Sequence, residues 1–241
     1  IRDRFGLYFY VYNLRQGYPY LYYTLSAITI IFMIAVPILT MRSFAEDRKN
    51  KTDQLMLTAP VPVAKVVLGK YLAMLAVFTV DIAVFCVTPL ILRAFGTIPM
   101  GESYIAILAF WLYGAASIAV GMFISALTES QVIAAVLTFV VLFISYMMQS
   151  LTGLISSDGN WLTKILNCLD LYAPFEKFQG GCLDITAILY YVTVIVLFNF
   201  FTVQAIQKRR WSISKKTFSL SVFSSSFIVV VFALAVVANL A

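Results

Sequence analysis

Six long apolar segments, Leu21–Met41, Val63–Leu92, Ser103–Leu127, Val132–Met148, Ile185–Ile206 and Phe218–Leu240, dominate this chain. About 20 apolar residues in helical form match the roughly 30 Å hydrocarbon core of a bilayer. Lipid offers the backbone no hydrogen bonds, so such segments cross as helices that satisfy their own. The fold class that follows is all-α: a polytopic transmembrane helical bundle with six full spans. Composition points the same way, because 62% hydrophobic and 12% charged residues with a mean hydropathy of +0.93 leave too little polar surface for a water-soluble globule. The expected location is the cell membrane, crossed several times and surrounded by lipid. Histidine is absent and only Cys86, Cys168 and Cys182 supply thiols, which argues against a zinc site or a Cys/His nucleophile.

Lysine and arginine assign the sides. Arg42, Arg48, Lys49, Lys51, Lys65, Lys70, Lys208, Arg209, Arg210, Lys215 and Lys216 fall in or beside one set of loops, which is cytoplasmic by the positive-inside rule. The alternate loops hold Arg15, Arg93, Lys164 and Lys177, the last two offset by Asp158, Asp170, Glu176 and Asp184. The net charge of +6 thus reports topology and implies no nucleic-acid partner. Alternation puts residue 241 outside. It also predicts a truncated first span: the charged start Ile1–Arg4 looks cytoplasmic, the polar turn Asn13–Pro19 must be outside, and Phe5–Tyr12 covers half a bilayer. Either residues are missing between IRDRF and GLYFYVYNL, or the chain begins outside with a short interfacial segment. A Cα series near 3.8 Å along residues 3–8 removes the first alternative.

The polar break Arg42–Pro62 separates the first two full spans. Ser43 or Asp47 can cap a helix there, and Asp53–Thr58 (DQLMLT) ends at Pro60 and Pro62. A short amphipathic helix at this place fills a cleft on a soluble partner or lies flat on lipid. Within the spans, Pro37 predicts a kink near the first exit. The loop Leu151–Asp184 is too long for a turn and predicts short helices on or in the interface.

The motifs that carry chemistry are few. Gly69-Lys70 is no phosphate loop, since position 64 is Ala and Tyr71 stands where Ser or Thr holds the metal. No catalytic residue, metal ligand set or cofactor site is visible in this chain. Asp81 is ionisable and well inside a span; it faces a substrate or dimer surface, or is protonated or hydrogen-bonded to a neighbouring helix. Gly114, Ser117, Gly121 and Ser125 form a small-residue face, either a dimer seam or helix packing within one subunit. Cys168 and Cys182, both outside, form a disulfide or remain two thiols.

The stretch MRSFAEDRKNKTDQLMLTAPVPVAKVVLGKYLAML resembles the cytoplasmic loop of ABC-2 type permeases, where an acidic pair, a Gly-Thr and an LLLTSPV-like run precede a GK-containing span. Here these are Glu46-Asp47, Thr52, Leu55–Val61 and Gly69-Lys70, with Lys51 in place of the usual glycine. AVGMFISALTESQVIAAVLTF and YAPFEKFQGGCLD extend the likeness, which is strongest to the branch of gliding-motility-associated permeases. The resemblance implies an ABC-2 exporter fold and a permease dimer, homo- or heteromeric, working with two cytoplasmic ABC ATPases that hold ATP and Mg. It implies ATPase coupling through Glu46, Asp47, Thr52, Leu55, Met56 and Thr58. The expected domains are 1–210, the permease, and 211–241, a basic hinge with one more span that resembles the start of an extracytoplasmic auxiliary component. The alternatives are an ATP-driven mechanical device moving an outer domain and a secondary transporter.

Overall fold

The computed structural model describes residues 6, 8, 10–11, 21–50, 61–95, 100–155, 170–178 and 184–210. No strand occurs among them. In chain order the helices are α1 (Leu21–Thr40), α2 (Ala45–Lys49), α3 (Val63–Phe85), α4 (Thr88–Phe95), α5 (Met100–Leu127), α6 (Gln131–Ile155), α7 (Ala173–Lys177) and α8 (Ile185–Arg210). Five stretches, built on α1, α3 with α4, α5, α6 and α8, are long and apolar enough to cross a membrane. The sixth expected span lies outside the described residues, as do residues 3–5 and 7, on which the missing-residue test at the chain start depends.

Helix α5 is the axis of the bundle. Of its most apolar stretch 83% is buried inside the chain, against 22–50% for the other four. It packs against every other described helix. A helix that is apolar all round belongs in the middle, while the outer helices need bury only one stripe. Helix α1 buries Leu25, Ile28, Phe32, Met33 and Val36 and exposes Ile30, Ile34 and Ile38. Helix α6 buries Ala134, Thr138, Leu142 and Ser145 and turns valine, leucine and isoleucine outward. Such exposed aliphatic faces suit lipid, which is as apolar as they are.

One expectation about helix extent is corrected. The segment Val63–Leu92 is not one helix: α3 ends at Phe85 and α4 begins at Thr88. The cause is Pro89, which has no N–H to give the Phe85 carbonyl four residues back and whose ring crowds it. The Thr88 hydroxyl donates to that carbonyl instead, at 2.6 Å. Pro37, in contrast, lies within α1, which runs on to Thr40. In the described part of the long loop after α6 one short helix forms, as expected: α7 packs between α5 and α8, and Asp170, Leu171, Tyr172, Phe175 and Phe178 are buried.

Candidate functional site

The described part of the polar break, residues 42–50, forms a corner at the end of the bundle where Arg42, Arg48, Lys49, Lys65 and Lys70 lie. Its described helix, α2, spans only five residues. The expected cap from Ser43 or Asp47 is absent, for Phe44 is the N-cap and no side chain of the corner caps the helix. A residue of the central helix does so instead. The Ser125 hydroxyl accepts the Phe44 and Ala45 N–H groups, each at 3.2 Å, and donates to the Met41 carbonyl at 3.2 Å. A serine hydroxyl has one donor and two acceptor sites, so its capacity is fully used.

Lys70 ties the same corner to α3. Its Nζ donates to the Ser43 carbonyl and to Asp47 Oδ2, and it lies over the Phe44 ring, 4.5 Å from the centroid. A cation held by a carboxylate, a carbonyl and an aromatic face at once fixes the angle between the α1 exit and the α3 entry. Lys70 therefore works here as a structural brace, whereas a Cβ added at Gly69 would meet nothing within 4 Å. Asp47 is paired with Lys70, and both it and Glu46 are half-buried. Thr52, Leu55, Met56 and Thr58 lie outside the described residues, as do Cys168 and Cys182.

The stripe of small residues on α5 packs within the chain. Gly114, Ser117, Gly121 and Ser125 are all buried. A Cβ on Gly114 would overlap the Phe78 ring and come within 3.0 Å of Phe32 Cζ; one on Gly121 would collide with the Thr40 hydroxyl. Backbone of α5 thus approaches α1 and α3 directly, which small residues permit. The Ser117 hydroxyl is turned back onto the Tyr113 carbonyl at 2.8 Å.

Asp81 is exposed on α3, about 16 Å along the helix from Lys70. Among the described residues no neighbouring helix of this chain covers it. An ionised Asp near the bilayer centre costs about 2.5 to 3.5 kcal/mol on insertion scales. Asp81→Leu is accordingly expected to favour insertion of this span by about that amount and to leave the thermal stability of the folded chain unchanged. An insertion assay of the isolated span and thermal unfolding in detergent check both parts; a fall in stability would show that Asp81 has a partner in the fold. Nearby, the Trp111 indole N–H avoids the same penalty by donating to the Thr79 hydroxyl at 2.9 Å.

Away from the corner, against the middle of α5 and α6, lies a polar knot that the charge pattern did not single out. Asp170 Oδ1 accepts the N–H groups of Tyr172 and Ala173, at 2.8 and 3.0 Å, and starts α7. The Leu171 N–H donates to Ser145 Oγ at 2.8 Å, and the Tyr191 hydroxyl to the Leu171 carbonyl at 2.8 Å. Tyr113, Tyr146 and Phe175 ring the Tyr172 side chain, with centroids 4.8–6.3 Å away. The spacing Asp170-x-Tyr172-Ala173-Pro174 is an Asx-turn signature that sequence alone offers.

Burial pushes the Asp170 carboxyl above the usual carboxylate range, against the two N–H groups that pull it down. A folded-state value raised above the unfolded one gives stability that is complete below the usual range and is lost as pH rises through the folded value. Asp170→Asn keeps an acceptor for both N–H groups and removes the buried charge. Its thermal stability at pH 7 is expected to exceed that of the parent, with the difference vanishing towards pH 4. Unfolding temperatures measured across that interval decide the matter.

A bundle of membrane-length helices around one buried axis, with a charged corner clamped onto three of them, defines a multi-pass membrane protein of the all-α class. A family model described as ABC-2 family transporter protein matches residues 9–237, and the chain belongs to that family. It is a membrane component of the ABC transporter type. Searches of curated proteins and of solved structures returned no match.

Proposed function

We propose that the chain is the transmembrane permease subunit of an ABC transporter, coupling ATP hydrolysis by separate cytoplasmic ATPase subunits to export across the membrane. The observation that carries this reading is the corner: Ser43–Lys49 is fastened to α3 through Lys70 and to α5 through Ser125. Anything that displaces the loop moves two spans. Lysines and arginines cluster at this end, which supports a cytoplasmic side for it. Closure of the ATPases then pushes on the stretch 43–60, with Leu55, Met56 and Thr58 as the contact face, Thr52 opening it and Glu46 as an electrostatic anchor. The push shifts the flanking spans and opens a dimer of this chain, or a pair with a related one, to the outside. ATP and Mg belong to the partner. The sequence likeness to gliding-motility-associated permeases favours 1–210 as the permease domain and 211–241 as a hinge and further span leading to an extracytoplasmic component.

Deleting Asp53–Thr58 from the full chain tests the coupling assignment. The variant is expected to insert normally and to lose co-purification with the ATPase, together with the vanadate-sensitive ATP hydrolysis of the complex, by about tenfold or more. An intact complex with unchanged hydrolysis removes the assignment.

A further inference from the structure

We infer that Ser125 is the positioning residue through which displacement of the 43–49 element enters the central helix α5; the inference rests on the coupling role proposed above. Ser125 is fully buried. Its three hydrogen-bonding sites all serve the α1–α2 corner, through Met41, Phe44 and Ala45. Because α2 has no side-chain cap of its own, the leading amides of the corner depend on α5. Four residues earlier, Gly121 lets Thr40 lie against the α5 backbone, where an added Cβ would come within 3.0 Å of the Thr40 Cβ and Cγ2. The corner cannot slide along α5 without stranding two buried N–H groups, which is costly.

The link is also stiff, since a serine has one side-chain torsion, whereas Lys70 reaches the corner through a long stem that is partly exposed. Movement at Ser125 has a route along α5 to the polar knot. Helix α5 continues without interruption from Ser125 to Tyr113, whose ring packs against Tyr172 and Phe175 of the polar knot. A chain of packed groups becomes a coupling path only when breaking a link changes the response at the other end.

The test uses the native complex purified through a tag on the full chain, with Cys86, Cys168 and Cys182 replaced and Tyr104→Cys as a reporter on the exposed outer part of α5. The readout is the change in maleimide labelling rate on adding ATP and vanadate. Ser125→Ala is expected to cut that response by about fivefold or more while ATP hydrolysis stays within about twofold. Ser125→Thr, which keeps the hydroxyl, is expected to restore the response. A full response in Ser125→Ala, or none in Ser125→Thr, overturns the inference and leaves the permease assignment standing. A parent complex that neither hydrolyses ATP nor responds at position 104 sinks the coupling reading and this inference with it. Should Ser125→Ala fail to assemble, hydrogen exchange in the parent complex decides: the Phe44 and Ala45 amides are expected to exchange about tenfold or more slower than unprotected amides, and exchange at the unprotected rate overturns the link.

Discussion

Gly114→Ala is expected to destabilise the folded chain by about 1 to 3 kcal/mol, the range for overpacking a close-packed interior. The added methyl would occupy space now filled by the Phe78 ring. That ring has nowhere to go, for it lies 5.1 Å from Phe32 and 6.4 Å from Phe110 between ring centroids. Phe32, Phe78 and Phe110 are each 3% exposed or less, so retreat of one disturbs the others. Phe78→Leu combined with Gly114→Ala is expected to recover part of the loss, giving a coupling between the sites of about 0.5 kcal/mol or more. Thermal unfolding of the two single variants and the double variant in detergent measures it. Strict additivity would mean that the methyl and the ring do not compete for the same volume.

Lys70→Met is expected to leave the fold nearly intact and to disable its work. The Asp47 pair is about one-third exposed on both sides, and ion pairs in such settings contribute about 0 to 1 kcal/mol. Stability therefore hardly records the loss. The geometry of the corner does, because the same nitrogen also holds the Ser43 carbonyl and the Phe44 ring. Under the permease reading, ATP-dependent movement of α3 should fall by about tenfold, measured as protection of a cysteine placed at exposed Leu72. Asp47→Asn should produce a smaller effect in the same direction, since it weakens one of three contacts. Equal ATP-dependent protection in Lys70→Met and the parent would relieve Lys70 of this role.

How far the chain could be read in advance differs from one residue to the next. The spans were legible because lipid admits few solutions, and five of the six appear among the described residues as helices of membrane length. The break at Pro89 was legible too, in a proline deep inside an apolar run, although reading the run as one helix passed over it. The Asp170 knot had a local turn signature but lay in a loop where burial cannot be guessed. Lys70 offered less: a lysine about two turns into a span reads as a snorkelling side chain, and nothing in the order of residues announces a partner 23 positions earlier. Ser125 offered least of all. As one of four small residues on a helix it suggests close packing, and only the placement of the corner beside it turns its hydroxyl into a cap.

The amino-acid order alone determined the solvent of this protein, through the length of its apolar runs, and set the expected direction of its traverses, through the sidedness of its lysines and arginines. Both are sums over many residues, and neighbours along the chain suffice to compute them. The tertiary structure alone decided which helix is the axis, that the small-residue stripe of α5 is consumed within the chain, and that the charged corner is fastened by Lys70 and Ser125. Those outcomes depend on contacts between residues 23 to 84 positions apart, fixed by how apolar faces and small residues let the helices close on one another.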